Sequence, residues 1–133
     1  MTRHLYVDSS VVISLLFEEP NSRRVRPFLR RFSKKMVSAS LLEAEVLASA
    51  KREGVALDKA APFVDMVSLV IPERSLLPEY LSIFEAGYLR GADAYHLAAA
   101  LYTDPTRKQL GFATADQKQS EIADRLGFTV VIF

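Results

Sequence analysis

Leu5-Tyr6-Val7-Asp8-Ser9-Ser10 reads as a short β-prone apolar run that halts on residues favoured at helix caps and passes directly into the apolar stretch Val11 to Phe17. It predicts a strand followed at once by a helix. Working outward, Pro20-Asn21-Ser22 breaks that helix, and Val25, Phe28, Leu29 and Phe32 recur at the spacing of an amphipathic helix. Lys35 to Ser38 is a short strand, and Ser40-Leu41-Leu42-Glu43 has the pattern of a capping box opening a long helix to about Glu53, before Gly54. Asp58 is expected to cap a helix from Lys59 to about Met66, and Val67 to Ile71 is a strand ended by Pro72. Helical spacing then runs from Leu76 to Leu89, closed by Arg90-Gly91, and Asp93 opens a very apolar helix over Ala94 to Tyr102. Leu110 to Thr114 is a buried strand, Asp116 to Leu126 a helix ended by Gly127, and Phe128 to Phe133 a terminal strand. Short strands alternating with helices predict a single α/β domain over 1–133, with a mostly parallel sheet covered on both faces.

At 133 residues, half of them hydrophobic, the chain is long enough to bury a core unaided. The absence of cysteine excludes a disulfide framework, a zinc–thiolate site, an iron–sulfur cluster and a thiol nucleophile. No apolar run approaches the 20 or so residues of a membrane span, and Asp8 interrupts the N-terminal region too early for a signal peptide, so a cytoplasmic protein is expected. The net charge of +1 is unevenly distributed. Seven of the 17 basic residues (Arg23, Arg24, Arg26, Arg30, Arg31, Lys34 and Lys35) fall in a stretch without acids, leaving ten against 16 acids elsewhere. Such a block is either a solvated helix face or a surface for a polyanion.

Most of the acids lie at helix ends, turns or polar faces and need no functional account. Four do not fit that explanation as a set. Asp8 and Asp116 each follow a predicted strand, where α/β sheets bind their ligands. On a helix, Glu45 has Leu41, Leu42, Ala48 and Ser49 as its one-turn neighbours, so its carboxylate faces packed surface and needs a partner, either a buried Arg or Lys or a bound cation. Asp93 borders the apolar face of Leu97 and Ala100, although taken alone it would serve as a cap. Gathered together, four carboxylates would repel one another unless cations lay between them, and hard oxygen ligands suit Mg²⁺ or Mn²⁺. Such ions serve phosphodiester hydrolysis. The Ser9 and Thr114 hydroxyls flank the acids closely enough to orient water, with a cap role for Ser9 the equal alternative, while His96, one turn after Asp93, is read as a hydrogen-bonded packing residue ahead of a substrate contact and His4 lies far from the site.

The order of Leu5 to Ser10, Ser40 to Val46 with Glu45 as the acid, Gly91-Ala92-Asp93-Ala94-Tyr95-His96-Leu97-Ala98-Ala99-Ala100 and Ala113-Thr114-Ala115-Asp116 resembles the PIN-domain ribonucleases, most of all the VapC toxins of VapBC toxin–antitoxin modules. The resemblance spans essentially the whole chain. It implies a three-layer α/β/α fold whose acids, here Asp8, Glu45, Asp93 and Asp116, bind Mg²⁺ or Mn²⁺ beside the Thr114 hydroxyl and cleave RNA endonucleolytically. It implies as partners a VapB-type antitoxin and a second copy of the chain in a homodimer. Glu43 is the competitor to Glu45, but its capping-box role and the motif order both favour Glu45. With that function, Arg23, Arg24 and Arg26 become candidates for RNA contact, or the neighbouring groove for the antitoxin.

Two other acidic α/β classes fit less well. A phosphate-receiving signalling domain would need an adjacent acid pair after the first strand and a late lysine, and a haloacid-type phosphatase would need Asp-x-Asp where this chain has Asp8-Ser9-Ser10. A catalytically inactive PIN-like module that binds RNA or a partner is the alternative that experiment must separate.

Overall fold

The computed structural model describes residues 2–133. Five strands, β1 (His4–Val7), β2 (Met36–Ala39), β3 (Ser68–Val70), β4 (Leu110–Thr114) and β5 (Val130–Ile132), form one sheet in the order β3-β2-β1-β4-β5. Every pairing is parallel. The chain builds outward from β1 through β2 to β3, then returns to the other side of β1 with β4 and β5. The strand order therefore reverses between β1 and β4, and a crevice is expected beyond their carboxyl ends.

Alternation along the strands divides the core between two faces. Leu5 and Val7 join Val11, Val12 and Leu15 of α1 (Ser9–Leu16), Val25 and Leu29 of α2 (Ser22–Arg30), Leu42 and Val46 of α3 (Leu41–Arg52) and Val64 of α4 (Leu57–Val64). Tyr6 and Phe112 face the other way, with Ile83 of α5 (Leu77–Ala86), Leu97 to Leu101 of α6 (Gly91–Thr103) and Ile122 and Ala123 of α7 (Gln117–Arg125). The central ladder sets Leu5 opposite Gly111 and Val7 opposite Ala113. A Cβ at Gly111 would come within 2.8 Å of the Thr2 methyl and 3.4 Å of Leu5 and the Thr129 carbonyl, so a larger residue at this narrow position would require Thr2 to shift.

The helix ends follow the expected chemistry in part. Gly54 and Gly127 take φ of +74° and +99° and close α3 and α7 with paired Schellman bonds, Val55 to Ala50 and Phe128 to Ala123 being the outer ones. The capping box at Ser40 does not form. Ser40 still donates its N–H to Val70 at the sheet edge, has helical dihedrals and makes no side-chain cap, and Glu43 is exposed. Asp58 lies within the first turn of α4, which Ala56 precedes. The basic helix stops at Arg30, and the chain turns through Lys34 at φ +65°.

The largest departure lies before α6. The helix expected to reach Leu89 ends at Ala86, because Gly87 is extended, and residues 87–90 form a connector outside any helix or strand in which Leu89 is buried between exposed Tyr88 and Arg90. Asp93 is therefore the third residue of α6, with Arg90 in the cap position. No helix among the described residues is long and apolar enough to cross a membrane.

Gly54→Ala isolates the cost of a left-handed backbone, since a Cβ there meets nothing within 4 Å. Urea unfolding is expected to show a loss of about 1–2 kcal/mol with an unchanged m-value.

Candidate active site

The site grows from the ends of β1 and β4. Asp8 extends the ladder, donating its N–H to Ala113 at 2.9 Å, and caps α1 by accepting from the Ser10 N–H at 3.0 Å through Oδ2. Asp116 caps α7 in the same manner, its Oδ1 taking the Gln119 N–H at 2.8 Å. Both acids are thus caps, as the sequence suggested, and capping is also what fixes their carboxylates at the crevice. α6 brings Asp93 in through its first turn, and α3 brings Glu45 from the opposite side of the sheet's end.

The partner of Glu45 is neither arginine nor lysine. His96 Nε2 lies 2.6 Å from Glu45 Oε1 and 3.9 Å from Asp8 Oδ1, and His96 Nδ1 lies 2.7 Å from the Tyr6 hydroxyl. The Glu45 carboxylate can only accept, so Nε2 carries a proton in both states of the ring. The Tyr6 hydroxyl donates to a neutral ring and accepts from a charged one, so the chain of bonds survives either state. Burial pushes the Tyr6 phenol well above its ordinary range, which keeps that hydroxyl neutral. Burial also disfavours charge on His96, but its bond to Glu45 and the charges of Asp8, Glu45 and Asp93 outweigh this and raise its pKa above the usual 6.5.

A second buried residue organises the other half. Gln119 Nε2 donates to Asp8 Oδ1 and to the Asp93 carbonyl, both at 3.1 Å, while its Oε1 accepts from the Thr114 hydroxyl at 2.6 Å. Thr114 Oγ1 in turn accepts the Asp116 N–H at 3.0 Å. One neutral side chain therefore ties Asp8, Asp93, Thr114 and, through its own N–H, Asp116 into one unit. The hydroxyl that meets Thr114 belongs to Ser10, 3.4 Å away and accepting from the Ala115 N–H; Ser9 is buried at the start of α1.

Gln119, Ser10 and Tyr6 were not singled out in the sequence. Gln119 had a visible signal, because Asp116-x-x-Gln119 is a capping pattern and Gln119 shares the stripe of Ile122 and Ala123, where a polar residue must find buried partners.

Burial raises the Asp93 pKa, and Asp8, Asp116 and Glu45 each raise it further, with His96 the one opposing influence. Asp8, Glu45 and Asp116 are thus all near enough to act on Asp93. Among the described residues no three acid or histidine side chains stand ready to enclose a metal ion, and Glu45 is occupied with His96. A cleft of about 320 Å³ opens beside Asp93 and Asp116, lined also by Tyr88, Leu89, Arg90 and Lys118.

The arginines of α2 lie elsewhere. Arg26, with Arg30 and Lys34, lines a larger cleft of about 770 Å³ reaching the first residues of β2 and β3, at the amino end of the sheet, and Arg23 lies beside Glu18 and Glu19. Arg24 is exposed on the same helix. Arg23, Arg24 and Arg26 therefore line surfaces other than the cleft beside Asp93 and Asp116, on a helix that packs against α1.

The PIN domain family model matches residues 5–125, spanning all four acids. The chain belongs to the PIN-domain family. It is 32% identical over 130 residues to Ribonuclease VapC46 of Mycobacterium tuberculosis, covering 96% of this chain and 95% of that protein, which sets it in the VapC group of PIN domains.

Two outcomes follow from the hydrogen-bonded halves. Gln119→Leu removes the amide donor to Asp8 Oδ1 and the acceptor of the Thr114 hydroxyl in a buried setting, so its unfolding free energy should fall by roughly 2–3 kcal/mol in urea titrations. Gln119→Glu retains the shape but sets a carboxylate against Asp8, so its deficit should shrink as the pH is lowered. In EDTA, the raised His96 pKa means that stability from the charged ring is fully present below the unfolded value of 6.5 and is lost as pH rises through the higher folded value. Asp93, raised from 3.8, has the same sign at lower pH. Thermal midpoints should therefore fall as the pH rises above 6.5, and His96→Gln should flatten that fall.

Proposed function

We infer that this PIN-domain protein is a metal-dependent endoribonuclease of the VapC type, the toxin of a toxin–antitoxin pair that acts on cellular RNA in the cytoplasm. The observation that carries this reading is the gathering of Asp8, Glu45, Asp93 and Asp116 at the strand-order reversal, close enough for three of them to raise the pKa of the fourth. The resemblance of the whole chain to a ribonuclease agrees with it. The donor set suits Mg²⁺ or Mn²⁺, because all four ligands are hard oxygens and their crowded negative charge is what a small divalent cation relieves. Asp8, Asp93 and Asp116 would hold the ion, with Glu45 joining them as it turns from His96. When bound, the ion supplies an acidified water and offsets charge on the phosphate.

The chain's own residues supply the rest. Gln119 and the Ser10 N–H hold both oxygens of Asp8 in place, leaving a lone pair on each for a ligand. His96 restrains Glu45 from behind, and Thr114 fixes the loop into Asp116. The larger cleft suits the antitoxin: Leu15, Leu29, Phe63 and Met66 offer an apolar floor and Arg26, Arg30 and Lys34 a basic wall for an amphipathic segment with acids on its polar face. The exposed apolar row Leu77, Leu81 and Phe84 on α5 suits a second copy of the chain.

The test is cleavage of a mixed RNA pool by purified protein with Mg²⁺ or Mn²⁺, beside EDTA, Asp8→Ala and Asp93→Asn controls. Losing a group that merely supports a metal ligand costs 10–100-fold, so each control should cut activity at least about 100-fold. Cleavage unaffected by EDTA and by both substitutions would sink the metal-dependent reading, and metal-independent RNA binding without cleavage would leave a binding module.

A further inference from the structure

The cleft beside Asp93 and Asp116 contains three residues that the acid site does not use: Tyr88, Arg90 and Lys118. Two come from the extended connector between α5 and α6. Leu89 is buried and anchors the connector, while Tyr88 and Arg90 on either side of it are exposed. Tyr88 is 72% exposed, a large aromatic side chain left in water next to the acids. Lys118 arrives from the other wall, two residues after Asp116 in the first turn of α7.

The cations are not there to neutralise the acids. Among the described residues neither Arg90 nor Lys118 forms an ion pair, although Asp93 and Asp116 line the same cleft. Unpaired cations at the rim of an acidic crevice serve a ligand that is itself anionic and must approach that crevice. Phosphodiesters meet this description, and an exposed ring lining the same cleft as two such cations adds a face on which a base stacks.

We propose that Tyr88, Arg90 and Lys118 form a nucleotide subsite that takes one unpaired base of single-stranded RNA on the Tyr88 ring and the flanking phosphates on Arg90 and Lys118. The proposal deepens the nuclease reading and rests on it for the reaction. It assigns the strand an approach along the α5–α6 connector rather than along the arginines of α2, and it favours unpaired over duplex RNA, since a paired base cannot reach the ring.

Binding is measured first, by anisotropy of a fluorescein-labelled ten-nucleotide single-stranded RNA on the full-length Asp8→Ala protein in Mg²⁺. In that background Tyr88→Ala should weaken binding roughly tenfold and Tyr88→Phe by less than about twofold, because stacking needs the ring and not the hydroxyl. Arg90→Gln and Lys118→Gln should each lower the slope of log affinity against log salt by about 0.7. Without Asp8→Ala, the same variants should raise KM for single-stranded RNA more than they lower kcat, and a duplex of the same sequence should respond little to Tyr88→Ala. Size-exclusion profiles of all variants should match the parent.

The subsite is overturned if the Tyr88→Ala and Arg90→Gln/Lys118→Gln proteins bind and cleave as the parent does. It is equally overturned if the parent binds no RNA, or if weaker binding merely accompanies a changed elution volume. Metal-dependent cleavage by the parent with silent variants defeats the subsite alone; Tyr88-dependent binding without any cleavage defeats the nuclease reading and leaves the subsite standing.

Discussion

Everything at the candidate site depends on the parallel pairing of β1 with β4 at the point where the strand order reverses. That ladder does not stop at the last strand residue. The Asp8 N–H continues it to Ala113, so the backbone of the first acid is held by the same hydrogen bonds that hold the core. Gly111 and Ala113 on β4 leave room for Leu5 and Val7 on β1, and that close fit sets the register. A one-residue slip would send Leu5 and Val7 to the face now occupied by Tyr6, and would remove Tyr6 from His96. Core packing and site geometry are in this sense one constraint.

The second constraint is electrostatic. Burial and three neighbouring carboxylates raise the proton affinity of Asp93, which is a cost to folding, and the fold meets it without introducing a fixed cation among the acids. His96 is the sole basic group in contact with the cluster among the described residues, and it is held from behind by Tyr6. Tyr6 is itself stacked on Phe112, with ring centroids 5.4 Å apart and planes nearly parallel. The orientation of Glu45 is thus traceable through His96 and Tyr6 to aromatic packing within the sheet's core. Gln119 performs the corresponding task for Asp8 and Asp93 from α7.

The strand-to-helix passage at Asp8, the helix ends at Gly54 and Gly127 and the two-faced cover of the sheet were all legible, because each rests on local chemistry that short stretches of sequence express. The connector at 87–90 was not. Helical spacing of apolar residues continues past Ala86, and only packing reveals that Leu89 enters the core from extended chain. The capping box at Ser40 failed for a related reason: the sheet already claims the backbone of that residue. At the site, the acids were legible because buried charge is conspicuous in a sequence. The cleft that the arginines of α2 line was not, since amphipathic spacing says which side of a helix is polar and nothing about what that side faces.

The residues that escaped the sequence reading share a property with a physical reason. Gln119, Ser10 and Tyr6 are neutral. An arginine or lysine in the place of Gln119 would orient Asp8 equally well but would cancel the negative charge that makes the crevice attractive to a divalent cation, and would leave the remaining acids less able to bind one. An amide donates two hydrogen bonds and accepts another while adding no charge, so it can order the carboxylates and preserve their field. Histidine is the one exception, bonded to Glu45 and 3.9 Å from Asp8, where the neighbouring acids favour its charge over the opposing effect of burial. Fixed cations are left at the rim, on Arg90 and Lys118, unpaired with the acids they adjoin. A site ordered by neutral donors within and by cations at its edge keeps two opposite potentials a few residues apart, which is the arrangement required to bring a metal ion and a phosphodiester to the same place.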